Sequence, residues 1–152
     1  MKLKKQLQSL VKEAPQHGVS SVVMEKAINP VLAMFAKQLE HPKYYLLSNA
    51  NGDWLLTHLS HRERSEQEKT VIYAFSTPED AALFHKNTET NLLKITAIPV
   101  THLLFQLLAL KQVDSIIFMA ISGNLEKGIE VPRTELQDSI QKQLAQGRSF
   151  IV

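Results

Sequence analysis

The sequence predicts an α+β domain: a mixed β-sheet of about five to six strands with helices packed on it, preceded by two N-terminal helices. Three observations support this class. A helical period opens the chain, an Asn-Gly pair separates two strand-like runs, and strands then alternate with helices to the C-terminus. Alternation requires crossover connections and a hairpin adds antiparallel edges, so an N-terminal hairpin followed by β-α-β-α-β should give a mixed sheet.

The first 40 residues are predicted to form the two N-terminal helices. One stripe of a 3.6-residue period is made by Leu3, Leu7, Leu10, Val11 and Ala14. Pro15 and Gly18 then end this helix. Before the second helix, residues 19–28 fit either a short strand or a helix. Asn29 is predicted as the N-cap of the second helix and Pro30 as its first residue.

The next runs indicate β-structure. KYYLLSN (43–49) and DWLLTHLS (53–60) flank the Asn-Gly pair at 51–52, a dipeptide that accepts positive φ in a tight hairpin turn. The charged run HRERSEQEK (61–69) is predicted as a solvated loop. TVIYAF (70–75), rich in β-branched and aromatic residues, is predicted as the third strand.

The stretch AFSTPEDAALF (74–84) is predicted as a joint between a strand and a helix. Thr77 stands before Pro78 and three positions before Asp80, which is the spacing of a capping box. Glu79 and Asp80 also lie in the first turn, where the helix dipole favours negative charge. These two acids are therefore assigned to helix initiation rather than to catalysis.

The remaining elements follow in order. LLKITAIPV (92–100) is predicted as a strand ending at Pro99, and the almost wholly apolar THLLFQLLALK (101–111) as a buried helix. SIIFMAIS (115–122) should be a central strand covered on both faces. After a turn at 123–128 and the short strand IEVP, a final helix should end at Gly147, with an inward face made by Leu136, Ile140 and Leu144.

Composition limits the functional classes. The 152 residues fit one domain, 1–152, with a helical extension at 1–40 and an α+β core at 43–145. The net charge of +2, from 17 Lys/Arg and 15 Asp/Glu, lacks the basic stripe of a nucleic-acid binder. No run reaches the roughly 18 apolar residues of a membrane span and no signal peptide is recognisable, so we expect a cytoplasmic protein that binds neither nucleic acid nor membranes.

Catalytic, cofactor and metal motifs are not found. Thiolate chemistry is excluded because the chain has no cysteine, and the nucleophile-elbow, phosphate-loop, dinucleotide and zinc-protease motifs do not occur. His58 and His61 have i, i+3 spacing but lie across a strand end and a loop, with no third ligand nearby. His102 is interpreted as a polar residue at a helix start. We therefore expect no cofactor, no metal and no catalytic residue, although an enzyme or small-ligand binder with dispersed polar residues stays an alternative.

The aromatic residues are the candidates for a surface role. Tyr44 and Tyr45 are consecutive on a strand and must face opposite ways. Exposed Tyr and Trp side chains often anchor protein interfaces, which makes Tyr45 and Trp54 the predicted partner-binding residues. The alternative is that all three aromatic side chains fill the core under the N-terminal helices.

Several segments together resemble the SseB-like N-terminal domain family. AFSTPEDAALF is similar to its "FTSPEDA" segment, VDSIIFM to its central strand, and KGIEVPRTELQDSI to its closing segment. The hairpin YYLLSNANGDWLLTHL is similar to its early strand pair. The similarity covers about residues 43–145. It departs where MAISGN replaces the usual Asn-Pro-Gly, and residues 1–40 have no counterpart; a chloroplast protein-import family carries a similar F-x-S-x-E-D-A segment.

The resemblance implies a regulatory role. The SseB-like family is associated with enhanced serine sensitivity and with modulation of a sulfurtransferase, and it has no agreed catalytic residues to carry over. We therefore expect a bacterial, non-enzymatic domain that binds another protein. A homodimer formed through the N-terminal amphipathic helix is the further possibility.

Overall fold

The computed structural model describes residues 2–61, 64–86, 93–120 and 128–149 of the chain. The helices are α1 (Lys2–Glu13), α2 (Ser21–Val23), α3 (Asn29–Gln38), α4 (Pro78–Lys86), α5 (Val100–Ala109) and α6 (Arg133–Ser149). The strands are β1 (Lys43–Ser48), β2 (Thr57–His61), β3 (Arg64–Ala74), β4 (Lys94–Pro99), β5 (Ser115–Met119) and β6 (Gly128–Pro132). This confirms the predicted α+β class and the order of its elements.

The strands form two sheets that are joined by isolated bridges. One has the order β2-β3-β5-β6, with β3 and β5 parallel and the other pairs antiparallel. The second pairs β1 with β4, antiparallel. Bridges from Tyr45 to Phe75 and from Ser48 to Trp54 connect the two. The predicted number of strands and the mixed pairing are therefore observed, but the strands are divided between a four-stranded mixed sheet and a two-stranded antiparallel one instead of forming a single sheet.

The two faces of this β-structure are covered unequally. The main core lies on one face, where α1, α3, α5 and α6 meet the inward strand residues, and its fully buried side chains include Leu10, Leu32, Tyr44, Leu46, Ile72, Leu103, Ile116, Phe118 and Leu136. On the other face, α4 covers a smaller cluster of Leu47, Phe75, Ala81 and Met119. No helix in the described ranges is both long enough and apolar enough to cross a membrane.

The N-terminal helices contribute to the main core rather than standing apart from it. The predicted stripe of α1 packs there, with Leu10 and Ala14 fully buried. Gly18 ends the following 3₁₀ helix (Ala14–His17) with φ +76°. The segment left open between strand and helix, 19–28, is mostly helical: α2 continues through a π-helix (Met24–Ile28) into α3.

The predicted N-cap at Asn29 is wrong. Asn29 has helical φ and ψ, and its N–H bonds to the Met24 carbonyl in the wide π pattern. Its side chain instead donates to the Leu7 carbonyl of α1 at 3.0 Å. The π-helix loosens the turn just before Pro30, a residue that has no N–H to donate and whose ring crowds a regular α-helix. The π-helix and the contact with α1 therefore replace the N-cap that the Asn-Pro pair predicts.

The predicted hairpin pairing of 43–49 with 53–60 is wrong: β1 pairs with β4 and β2 with β3, and a single bridge from Ser48 to Trp54 joins the two flanks of the turn. The turn itself forms, but in a longer version than a two-residue turn. Gly52 has φ +87° while Asn51 does not have positive φ. The N–H of Gly52 donates to the Asn49 carbonyl (3.0 Å), and the N–H of Asn49 donates to the Asp53 carbonyl (2.9 Å). This is a three-residue loop with glycine in the left-handed position. The Asn49 side chain also accepts from the N–H groups of Asn51 and Asp53.

Several boundaries differ from the prediction. Strand β2 begins at Thr57 instead of residue 53, and α5 ends at Ala109 instead of residue 111. Most of the charged run 61–69 is strand, because β3 begins at Arg64 and pairs with β2. The final helix does not end at Gly147 but continues to Ser149. The turn at 123–127 and the ends of two predicted strands, at Leu92 and 121–122, lie outside the described residues.

The predicted helix start at Thr77 is confirmed. The N–H of Asp80 donates to Thr77 Oγ1 at 3.1 Å, and Asp80 is almost completely buried. Two other predictions also hold. Helix α5 buries most of its side chains, and β5 lies between β3 and β6 with the burial of a central strand.

Candidate functional site

Tyr45 lies in β1 on the face that α4 covers. Its side chain is half-buried against the smaller cluster, while the preceding Tyr44 is fully buried in the main core. The ammonium group of Lys43 lies 5.9 Å from the centroid of the Tyr45 ring. One part of the Tyr45 side chain is therefore packed against the protein and another part is accessible, which is the arrangement of an interface anchor.

Trp54 lies on the opposite face from Tyr45. It is half-buried against the main core and lines a cleft of about 300 Å³ with Gln106 and Leu110, among others. The structure therefore does not bring Tyr45 and Trp54 together on one surface. Their assignment as partner-binding residues stays a prediction, and Tyr45 is the one placed beside an open strand edge.

That open edge belongs to β4. The N–H of Tyr45 donates to the Phe75 carbonyl (2.7 Å), and the N–H of Phe75 donates to the Tyr45 carbonyl (2.9 Å). Both backbone groups of Tyr45 thus point away from β4. Because residues in an antiparallel ladder alternate between hydrogen-bonded and non-hydrogen-bonded pairs, Tyr45 and its partner Ala97 form a non-hydrogen-bonded pair.

Leu47, two residues after Tyr45 in β1, has the same backbone orientation. The N–H of Leu55 donates to the Leu47 carbonyl at 2.8 Å, so Leu47 also points away from β4, and its partner there is Ile95. Ile95 and Ala97 therefore direct their N–H and C=O groups to the outer side of β4. Within the described ranges β4 pairs with β1 alone, so no described strand receives these four groups.

The side chains along this edge are exposed as well. Ile95 is 40% exposed, and Thr96 and Ala97 are also classed as exposed. The one charge and the one proline of the strand, Lys94 and Pro99, stand at its two ends, and the four residues between them carry no charge, no proline and no bulge. Those features usually protect a free edge from pairing with another chain. We call Lys94–Pro99 with the adjacent Tyr45 the β4 edge.

Both edge strands of the four-stranded sheet, β2 and β6, also carry protecting features. In β2 the register shifts between Ser60 and His61, as at a β-bulge. In β6 the central Glu130 is charged and forms an ion pair with Lys69 of β3. The β4 edge is therefore the edge best suited to accept another strand.

The polar grouping that most resembles a catalytic site lies between α1 and α5. His102 Nε2 is 3.7 Å from a carboxylate oxygen of Glu13, and His102 Nδ1 is 3.4 Å from the hydroxyl of Thr101. Burial lowers the pKa of His102, nearby Glu13 raises it in part, and His17 lowers it further. Carboxylate, imidazole and hydroxyl in a row have the order of a catalytic triad.

The hydroxyl in this row does not serve as a nucleophile. Thr101 is fully buried and its Oγ1 donates to Gln6 Oε1 at 2.7 Å. The N–H of Thr101 donates to the same oxygen at 3.1 Å, while Gln6 Nε2 donates to the Pro42 carbonyl at 2.8 Å. Gln6 thus caps the start of α5 and holds the Thr101 proton. A nucleophile needs an accessible hydroxyl hydrogen-bonded to the base.

A second polar grouping surrounds Glu130, which is paired with Ile117 and so lies on the face of the four-stranded sheet opposite the main core. Burial raises the pKa of Glu130, but the Lys69 ammonium group and the Ser115 hydroxyl outweigh that effect and hold it below its usual range. Ser115 is fully buried and donates to Glu130 at 2.5 Å. The grouping is accounted for as a cross-strand link between β3, β5 and β6.

Asp114 and Arg133, at the same end of the sheet, are used structurally. Asp114 accepts from the N–H of Thr70 at 2.8 Å, and the Arg133 guanidinium donates to the carbonyls of Lys111 and Val113. Within the described part of the chain, no three His, Cys, Asp or Glu side chains are grouped so as to hold a metal ion.

Two of the candidates, the free edge of β4 and the contact between Glu13 and His102, were not predicted from the sequence. Glu13 and His102 are far apart in sequence, so nothing local indicated their contact. The free edge of β4 depends on its pairing with β1, about fifty residues earlier. The one available signal was the uncharged run between Lys94 and Pro99. No protein-family model and no curated protein sequence gives a significant match to this chain.

Proposed function

We propose that this chain is a non-enzymatic, bacterial cytoplasmic domain of the SseB-like type that binds an extended segment of another protein along the β4 edge. The observation that carries the proposal is the direction of the Ile95 and Ala97 backbone groups. An added strand could form four hydrogen bonds with them, in the mode known as β-augmentation. Tyr45 would contact the partner from the neighbouring strand.

The chemistry of the edge defines the partner segment. Side chains of Ile95 and Ala97 lie on the same face as Tyr45, so the partner should place apolar residues there at every second position. Lys94 and Lys43 are exposed and carry positive charge at opposite ends of the β1–β4 pair. An extended apolar segment with acidic residues at its ends therefore fits best.

A non-catalytic role is supported by the use of the polar side chains. The hydroxyl groups of Thr101 and Ser115, each beside an ionisable group, are buried and already donate to Gln6 and Glu130. The side chain of Arg133 supports a loop. None of these side-chain groups is free to act on a substrate. The outward N–H and C=O groups of the β4 edge, by contrast, are free to bond to a partner strand.

The proposal is tested by capture with Ala97→Pro and its matched control Ala97→Val. Proline removes the outward N–H of residue 97, which no bond to β1 uses, and valine keeps it. Tagged wild type and both variants are used as bait in lysate of the source cells, with bound proteins identified by mass spectrometry. We expect a partner that wild type and Ala97→Val retain and Ala97→Pro loses, with all three baits folded by circular dichroism.

Retention of the same partner by Ala97→Pro would count against strand addition at this edge. A second copy of the chain is a special case of the partner, and light scattering of the purified protein tests it. A dimer at tens of micromolar that becomes monomeric in Ala97→Pro would identify the partner as the chain itself. The apolar stripe of α1 is used within the main core, so β4 is the better surface for such a dimer.

A further inference from the structure

A second site is formed by the cleft between α1, the 3₁₀ helix and α5. The cleft has a volume of about 520 Å³, within the usual range for small-molecule sites. Its walls are mainly apolar and include Leu10, Val19, Ile28, Phe105 and Leu108. The polar side chains at this cleft include Glu13, His17 and His102, and the His17 ring meets the Phe105 ring edge-on at 5.6 Å.

The hydrogen bonds of Gln6 and Thr101 favour one tautomer of neutral His102. The Pro42 carbonyl can only accept, so the amide nitrogen of Gln6 must face it and the amide oxygen must face Thr101. Thr101 gives its single hydroxyl proton to that oxygen and can only accept from His102. A hydrogen bond across the 3.4 Å between His102 Nδ1 and Thr101 Oγ1 then requires the proton of neutral His102 on Nδ1, and in this tautomer Nε2 keeps a lone pair.

This arrangement leaves two acceptors close together in the cleft. His102 Nε2 and a carboxylate oxygen of Glu13 are 3.7 Å apart, and neither can donate to the other while His102 is neutral. The buried setting of His102 favours the neutral form, since its pKa is lowered chiefly by burial. A group that carries a positive charge and several N–H donors would satisfy both acceptors.

We propose that the cleft between α1 and α5 binds a small primary amine, with its ammonium group between Glu13 and His102 and its apolar body against Phe105 and Leu10. Both halves of this ligand are specified by the site: the charge by the two acceptors, the apolar body by the walls. The site is separate from the β4 edge and does not depend on partner binding there.

Binding of the amine in this cleft should depend on pH. The charged or titratable groups around His102 are Glu13 from α1 and His17 from the 3₁₀ helix, with Gln6 and Thr101 uncharged on its other side. Protonation of His102 places a donor on Nε2, which then pairs with Glu13 itself. The ammonium group loses one acceptor and meets a positive charge, so amine affinity should fall as the pH is lowered from 7.5 to 5.

The probe is 2-phenylethylamine, titrated into the full-length chain by calorimetry and by NMR of the histidine ring signals. 2-Phenylethanol and 3-phenylpropionate are the matched neutral and anionic probes. We expect the amine to bind at pH 7.5 at least about tenfold more tightly than either, since charge-assisted hydrogen bonds exceed neutral ones by that order. Glu13→Gln should weaken amine binding about tenfold, and Glu25→Gln, which alters a carboxylate away from the cleft, should not.

Equal binding of the amine and the alcohol would overturn the inference, and so would undiminished amine binding to Glu13→Gln. Absence of amine binding to the wild-type chain would overturn it as well. A second readout does not depend on affinity. Saturating amine should lower the pKa of His102 followed by NMR, because the bound cation opposes imidazole protonation; a rise or no change would contradict the assigned geometry.

Discussion

At the scale of single residues, the local chemistry of a side chain was predictable only where its partner is near in sequence. Thr77 and Asp80 are three positions apart, and the predicted hydrogen bond between them forms. Gln6 and Thr101 are 95 positions apart, and no local pattern revealed that Gln6 caps α5. His102 was read as a polar residue at a helix start. Its place in that helix was correct, but its contact with Glu13 depends on how α1 packs on α5.

His102 leads to a prediction about stability and pH. Its pKa in the folded chain is lowered from the ordinary value of 6.5, chiefly by burial. Between the folded and the unfolded pKa, the unfolded chain binds a proton that the folded chain does not. The stabilisation is thus fully present above pH 6.5 and is lost as the pH falls through this window. His102→Gln should remove that part of the dependence.

Urea unfolding at pH 7.5 and pH 5 measures the effect. The free energy of unfolding should drop more for the wild type than for His102→Gln over this interval. Carboxylates common to both proteins cancel in the comparison. An equal drop in the two proteins would show that His102 has the same pKa in the folded and unfolded chain.

At the scale of elements, type and order were predictable and some boundaries were not. Strongly apolar segments form the expected elements: 101–109 of the predicted helix 101–111 lie in α5, and 115–119 form β5. The charge of the run 61–69 predicts a loop, yet from Arg64 onward it is strand β3 and pairs with β2. Glu68 and Lys69 are exposed there, so charged side chains are compatible with the strand. The cap at Asn29 failed because tertiary packing against α1 and a π-helix replaced the local signal.

The register of β4 leads to a prediction that separates two adjacent residues. Thr96 is paired with Leu46 in the alternate, hydrogen-bonded position, so its N–H bonds to β1, whereas the N–H of Ala97 points outward. Thr96→Pro should therefore destabilise the fold through loss of a ladder hydrogen bond, by an amount of the order known for proline in a helix interior, about 3 kcal/mol. Ala97→Pro should cost clearly less.

Chemical denaturation of the two proline variants checks this register. A larger loss of stability in Ala97→Pro than in Thr96→Pro would mean that the ladder is shifted by one residue. Ile95 and Ala97 would then bond to β1, and the proposed edge would present different groups.

At the scale of the whole molecule, the sequence predicted the α+β class but could not predict the open edge that we propose as the binding surface. The pairing of β1 with β4 joins segments that are distant in sequence, and only that pairing leaves one side of β4 without a described partner. Tyr45 could be chosen from strand alternation, since Tyr44 had to take the opposite face. Trp54 could be chosen only as an aromatic residue, and it lies on the other face of the β-structure.

The central claim, that β4 presents an open edge, is tested most directly by amide hydrogen exchange measured by NMR on the monomeric chain. We expect the amides of Thr96 and Ile98 to be protected by β1, while those of Ile95 and Ala97 exchange quickly and become protected when a partner segment binds. Equal, strong protection of all four amides in the free monomer would contradict the claim, because the outer side of β4 would already be covered.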